Sequence, residues 1–210
     1  SGVPSEPIWR RVAAHGGLAV LLIRHGQTAY NASKRFCGGR SDPPLDEAGR
    51  AQAMALAQRL AGAPEQVFAS PLIRAIETAR AIVHEQTSEP TLIEELRELD
   101  QGELEGRDIA STLPHYAEFF RAWRRDPSEV AVPGGETMAA LADRMVVGMQ
   151  RVCEQHEPGQ GRVVAVVSHQ MAQAAFVCRA LDLPLSRWHE FELGNARGHA
   201  LAWDGRGWSL

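Results

Sequence analysis

Cysteine is scarce in this 210-residue chain: Cys37, Cys153 and Cys178 are an odd number without metal-type spacing. That argues against a disulfide framework and against a zinc site, and it fits a reducing, cytoplasmic setting. Long apolar runs are missing as well. None approaches the roughly 20 residues needed to cross a bilayer, and residues 1–17 lack the long apolar core of a secretory leader. Nor is there an excess of positive charge. The net charge of −4 gives no reason to expect nucleic acid or an anionic membrane as partner, so any basic pocket has to be local. Internal repeats, low-complexity tracts and domain linkers are absent. What is left is ordinary for a globular protein, with 44% apolar and 23% charged residues. The expected organisation is an N-terminal extension over 1–17 and a single domain over 18–210.

The stretch that organises the rest is Leu18-Ala19-Val20-Leu21-Leu22-Ile23, running straight into Arg24-His25-Gly26-Gln27-Thr28. Six apolar residues bounded by Gly17 and by charge read as a strand buried on both faces. In an open α/β sheet, ligands gather outside the carboxyl ends of the strands. There Arg24 offers a planar fork of donors to an anion, and a neutral His25 is nucleophilic. No Gly-x-Gly-x-x-Gly follows this strand, so a dinucleotide site is not expected.

Further along, Asn31 to Asp46 is a long loop rich in Gly, Pro and charge. Asp46 is expected to cap a helix with Ala51, Ala55, Leu56 and Leu60 on its apolar side, ended by Gly62-Ala63-Pro64. Gln66–Ala69 reads as a second strand. Ser70 as N-cap with Pro71 at the first helical position opens another helix, which places Arg74 in its first turn, where the dipole favours an anion. Thr91-Leu92-Ile93 is a third strand, followed by a stretch holding five glutamates, among which composition alone cannot choose an acid. Tyr116, Phe119, Phe120 and Trp123 form an aromatic stripe at helical spacing, read as packing rather than a cofactor box, with Arg121, Arg124 and Arg125 at its basic end. Glu136 is expected at the site or in the first turn of a helix running to about His156, with Leu141, Met145, Met149 and Val152 on one face. Arg162–Ser168 reads as another central strand, and it too ends in a histidine, His169. A helix from Met171 to Leu181 follows. Trp188–Leu193 and His199–Trp203 alternate as edge strands or a hairpin. The fold class is therefore α/β: a three-layer α/β/α sandwich, with a mostly parallel central sheet and helices on both faces.

Arg24-His25-Gly26-Gln27-Thr28 with Asn31 resembles the signature of the histidine phosphatase (phosphoglycerate mutase-like) superfamily. Ser70-Pro71-Leu72-Ile73-Arg74-Ala75 with Thr78-Ala79, the Pro133-Gly134-Gly135-Glu136-Thr137 turn and Ser168-His169 are similar to later motifs of that family, in its order, from about residue 18 to about residue 200. The resemblance singles out Glu98, which precedes Gly102, as the general acid. It also implies that the loop after the first strand folds over phosphate, with Arg35 and Gly38 as binding residues and Arg40 behind them. Asn195-Ala196 resembles a loop near the family's site. Three positions depart from the usual pattern: Gln101 stands where an aromatic is common, Leu104 where tryptophan is, and Gln170 where glycine follows the second histidine. Gln170 is expected to narrow the pocket or add a hydrogen bond.

The implied chemistry is phosphomonoester hydrolysis through a phosphohistidine. His25 attacks phosphorus, Arg24, Arg74 and His169 surround the phosphoryl oxygens, Glu98 protonates the leaving oxygen, and Asn31 orients the phosphate or its loop. No metal and no cofactor is expected, because the arginines take over a cation's role; the partner is a small phosphorylated substrate. A mutase and a catalytically silent phosphate-binding domain are the alternatives. Mutases of the family usually carry a longer insertion after the acid, and the compact 107–135 segment favours hydrolysis. A phosphorylated sugar, a phosphoglycerate and α-ribazole phosphate all remain open as substrate.

Overall fold

The computed structural model describes residues 6–83, 89–157 and 159–210; the first five residues of the expected extension lie outside them. In chain order the elements are α1 (Ile8–Ala14), β1 (Leu18–Arg24), α2 (Ala29–Ala32), α3 (Glu47–Leu60), β2 (Gln66–Ala69), α4 (Ile73–Ile82), β3 (Thr91–Leu92), α5 (Ile109–Thr112), α6 (Ala117–Arg125), α7 (Met138–Glu154), β4 (Val163–Ser168), α8 (Gln170–Ala180), β5 (Gly198–Trp203) and β6 (Trp208–Ser209). One six-stranded sheet runs in the order β3-β2-β4-β1-β5-β6. The first four are mutually parallel, and β5 and β6 extend the sheet antiparallel.

β1 is buried along its apolar length because both of its faces are used. Val20 and Leu22 belong to a core shared with Met145, Met149 and Phe176 of α7 and α8. Ala19, Leu21 and Ile23 face a second core with Leu56 of α3 and Ala75 and Ala79 of α4, against which Trp9, Val12 and Ala13 of α1 also pack. Alternation along a strand sends successive side chains to opposite faces, so a continuous apolar run is what a doubly covered strand requires. The sheet between two helical layers is the architecture read from the sequence. Asp46 caps α3 through Gly49 N–H at 2.7 Å. The chain leaves that helix through a left-handed Ala61, one residue before Gly62.

Three local expectations are corrected. Ser70 does not cap α4: the helix starts at Ile73, and its first N–H donates to Asp42 Oδ1 at 2.7 Å. The Ser70 hydroxyl is occupied elsewhere, at 2.7 Å from His169 Nε2. Trp188–Leu193 is not a strand, because Leu185–Phe191 is a 3-10 helix. Its buried Leu185 and Phe191 lie two turns of three residues apart, and a three-residue period eclipses side chains on one face of such a helix. Glu136 lies before α7, not in its first turn, since Thr137 is the N-cap. The other expected helices and strands agree to within a residue or two at their ends.

Candidate active site

Parallel pairing of β1 with β4 sets Arg24 opposite Ser168. The next residue on each strand is therefore a histidine, and the His25 and His169 rings stand 5.2 Å apart, centroid to centroid. Both are buried, with Arg74 and Glu98. Two strands far apart in sequence thus deliver one residue each to the same point.

His25 Nδ1 lies 2.7 Å from its neighbour's carbonyl, Gly26 O, which fixes the proton on Nδ1 and leaves the lone pair on Nε2. Arg74 Nε–H donates to that Nε2 at 3.2 Å, while its two other nitrogens donate to the Ser41 carbonyl at 2.7 Å and the Gly38 carbonyl at 3.0 Å. Burial, then Arg74, pushes the His25 pKa well below the ordinary histidine range, so the ring is neutral. His169 is shifted the same way, by burial first and by Arg74 next. Ser70 Oγ accepts from Leu72 N–H and has its own hydrogen to give to His169 Nε2. His169 Nδ1 and Arg24 Nε are buried without a partner. The Arg24 fork is aimed by the Leu193 carbonyl, which accepts from its NH1 at 2.5 Å.

The Glu98 carboxyl accepts from Leu99, Met171 and Ala172 N–H at 2.8, 3.1 and 3.0 Å. It thereby caps the free N-terminus of α8, the helix that follows His169. Those three bonds favour the ionised form, yet burial outweighs them and raises the pKa above the ordinary carboxyl value. A buried carboxyl whose pKa is raised, beside a neutral imidazole and two arginines, is the kind of group that can move a proton.

Of the other expected residues, Asn31 accepts from the Thr28 amide and hydroxyl, both at 3.1 Å, and from Asn195 Nδ2 at 3.3 Å. Asn195 Nδ2 also donates to the His25 carbonyl at 3.2 Å, so that loop reaches the site. Gly38 reaches it through its carbonyl. Arg35 does not: it is exposed and donates to the Gly106 carbonyl at 2.8 Å. Gln170 turns its carbonyl oxygen to Leu193 N–H at 3.0 Å, steadying the segment that holds Arg24. Arg40 pairs with Asp100 at 2.7 Å, and Glu136 pairs with Arg144 at 2.8 Å. Arg121, Arg124 and Arg125 are exposed. No group of three or more His, Cys, Asp or Glu side chains that could hold a metal ion stands together among the described residues.

A family model described as histidine phosphatase superfamily, branch 1, matches residues 20–210. The chain belongs to the histidine phosphatase superfamily. Superfamily relatives include phosphoserine phosphatase 1 of Hydrogenobacter thermophilus, 32% identical over 178 residues that cover 84% of this chain and 82% of that one. A protein of Salmonella paratyphi C named as a probable phosphoglycerate mutase is 35% identical over 181 residues, covering 84% and 80%. Among solved structures, the mycobacterial glucosyl-3-phosphoglycerate phosphatase superposes with a TM-score of 0.81 at 30% identity, over 91% of this chain and 96% of that one.

Within this histidine phosphatase site, sequence reasoning passed over Arg144. From α7 it donates to the Glu95, Arg97 and Glu98 carbonyls at 2.9, 2.7 and 2.9 Å, and so pins the backbone that carries Glu98. Thr78 belongs to the motif that carries Arg74 but was given no role; its hydroxyl accepts from Gly26 N–H at 3.0 Å and donates to the Arg74 carbonyl at 2.8 Å. Arg144 carries no local signal. It looks like one more residue on an amphipathic helix.

Proposed function

We propose that this histidine phosphatase hydrolyses a small phosphorylated metabolite through a phosphohistidine on His25. The observation that carries the reading is the buried cluster at the ends of β1 and β4: a neutral His25 with its lone pair on Nε2, beside Arg24 Nε and His169 Nδ1, two polar atoms without protein partners. A phosphoryl group entering there supplies the missing acceptors and draws the Arg74 N–H off the lone pair. His25 Nε2 then forms the bond to phosphorus as the ester oxygen leaves with the Glu98 proton. Water next attacks the phosphohistidine, giving its proton to the Glu98 carboxylate and releasing inorganic phosphate and free His25. Arg24, Arg74 and His169 stabilise the charge that spreads over the phosphoryl oxygens, so the arginines do what a metal ion does in other phosphatases.

Phosphatase-named relatives and the compact 107–135 segment support hydrolysis over phosphoryl return. The mutase-named relative keeps the second reading in view. Phosphoserine and phosphoglycerate derivatives head the substrate panel, since the named relatives act on such esters. Free thiols at Cys37, Cys153 and Cys178 support a reducing, cytoplasmic setting.

The test is phosphate release from that panel and from one aryl phosphate, with excess chelator, comparing wild type with His25→Ala. Release by wild type alone is expected, with an acid-labile, base-stable phosphoprotein trapped on brief mixing. Turnover retained in His25→Ala overturns the mechanism. Phosphoprotein that hands its group to a product hydroxyl instead of water marks a mutase.

A further inference from the structure

The carboxylate of Glu105 lies outside the chemistry above, yet it gathers four donors. Gly38 N–H reaches Oε2 at 3.0 Å; Arg40 N–H and Gln101 N–H reach Oε1 at 3.1 and 3.2 Å; and the Ser41 hydroxyl makes a short bond to Oε2. Three of these donors belong to the loop over residues 38–41. The fourth lies three residues beyond Glu98.

That loop is what holds Arg74. The Gly38 and Ser41 carbonyls take the two terminal nitrogens of its guanidinium, and the third nitrogen meets His25. The same loop leans on the backbone that carries Glu98: Gly39 N–H donates to the Leu99 carbonyl at 2.8 Å, and Arg97 donates to the Gly39 carbonyl at 3.1 Å. The packing leaves no slack. A Cβ at Gly38 would fall 2.5 Å from the Leu99 carbonyl, and one at Gly39 would fall 2.7 Å from the Glu98 carbonyl. Only glycine allows the two backbones so close.

We infer that Glu105 is a positioning residue that sets the register between the half of the site holding Arg74 and His25 and the half holding Glu98. It touches no reacting atom. A carboxylate accepting several N–H bonds is a rigid node, and this one ties both halves to a single point. Because misplacement by about 1 Å in a constellation of this kind costs on the order of 10²-fold in rate, the node matters to turnover as well as to folding.

The inference rests on the phosphatase reading, and the experiment keeps the two separable. Glu105→Gln preserves shape but turns an NH2 toward donors that need an acceptor. Three quantities are measured: affinity for vanadate, a five-coordinate mimic of phosphoryl transfer; kcat/KM for an aryl and an alkyl phosphate; and the melting temperature. Glu105→Gln is expected to weaken vanadate binding about tenfold and to lower kcat/KM by about 10²-fold, with the alkyl ester hit harder because its leaving oxygen depends on a well-placed Glu98. Ser41→Ala removes one donor and leaves the carboxylate in place. It should shift vanadate affinity and the aryl-to-alkyl ratio the same way by a smaller factor, which keeps the test usable if Glu105→Gln does not fold. A lowered melting temperature with vanadate affinity and the aryl-to-alkyl ratio unchanged, in whichever variant folds, overturns the positioning role. Wild-type protein that neither binds vanadate nor releases phosphate overturns the phosphatase reading instead, and the positioning role falls with it.

Discussion

Arg74 and His25 meet through a single N–H: the arginine Nε donates to the imidazole Nε2 at 3.2 Å, the nitrogen left with its lone pair once Nδ1–H is turned to Gly26 O. The pair is buried, and every nitrogen of the guanidinium already has a protein acceptor. A guanidinium has five N–H donors, so these bonds leave one hydrogen on each terminal nitrogen of Arg74 for a phosphoryl group, and Arg24 Nε offers another unused donor.

Arg74→Lys keeps one charge and loses the planar fork. The Gly38 and Ser41 carbonyls are served by two separate nitrogens of the fork, whereas an ammonium donates from one point, so at least one of these bonds should stretch or be lost and the variant should lose about 1–3 kcal/mol of stability. Turnover should fall by at least about 10²-fold, because the donors that follow the phosphoryl oxygens go with the fork. Urea unfolding and kcat/KM on one preparation check both, and a lysine variant matching wild type would show that Arg74 supplies only charge.

Glu98→Gln removes the proposed proton donor. Loss with an alkyl phosphate should reach about 10²–10⁴-fold, the range for general acid catalysis, and loss with an aryl phosphate should be far smaller because its leaving group needs no proton. The acid form is present below the Glu98 pKa, which burial raises. Wild-type kcat/KM for the alkyl ester should accordingly fall as pH rises through that value, and the aryl ester should lack this limb. Equal damage to both esters would place the proton elsewhere.

The two buried histidines make stability depend on pH. Their folded pKa values lie well below 6.5, so the unfolded chain takes up protons first as the medium is acidified. The stability they contribute is full above the unfolded value and is lost as pH falls from about 6.5 toward the folded values, by about 1.4 kcal/mol per pH unit for each histidine. Unfolding free energies of wild type and His169→Ala, measured between about pH 7.5 and 5.5, should differ in slope by one such increment. Identical slopes would mean that His169 is charged in the folded protein.

Cys37 sits against the same site with its thiol pushed up to about 11 by burial, which outweighs the lowering effect of Arg74. Alkylation at neutral pH should be slow, accelerating as pH approaches the thiol's own value, because only the thiolate attacks. Mass spectrometry of the labelled chain over a pH series reads this directly. Rapid labelling of Cys37 at pH 7 would contradict the burial.

The two strands that end in histidine were legible because each is an unbroken apolar run that opens after glycine or charge and leads into a histidine. Their side-by-side placement was not in the pattern; it follows from strand pairing. Ser70 shows the limit of local reading. Its sequence context is that of a helix cap, but a histidine 99 positions away takes the hydroxyl. Glu98 could be chosen among neighbouring glutamates only by family resemblance, because what sets it apart is the start of α8 above it. Glu105 and Arg144 are invisible for the same reason: their partners come from distant segments. Asn195 was legible only through its likeness to a loop of the family. The 185–193 stretch fits a period of two and a period of three, and burial of Leu185 and Phe191 decided between them.

The sheet order also dictates when this protein can acquire its chemistry during synthesis. Among the described residues β1 pairs only with β4 and β5, both more than 130 positions further along, while β2 and β3 join it through β4. The first histidine therefore leaves the ribosome long before the strand that will carry its companion. Until β4 arrives, six apolar residues of β1 have no sheet to enter, a long-range pairing of the kind that slows folding and exposes chains to aggregation. A product truncated ahead of Val163 holds His25, the proposed nucleophile, and both motif arginines, yet lacks the strand that seats them. Activity in this enzyme is thus a sign that synthesis has passed β4.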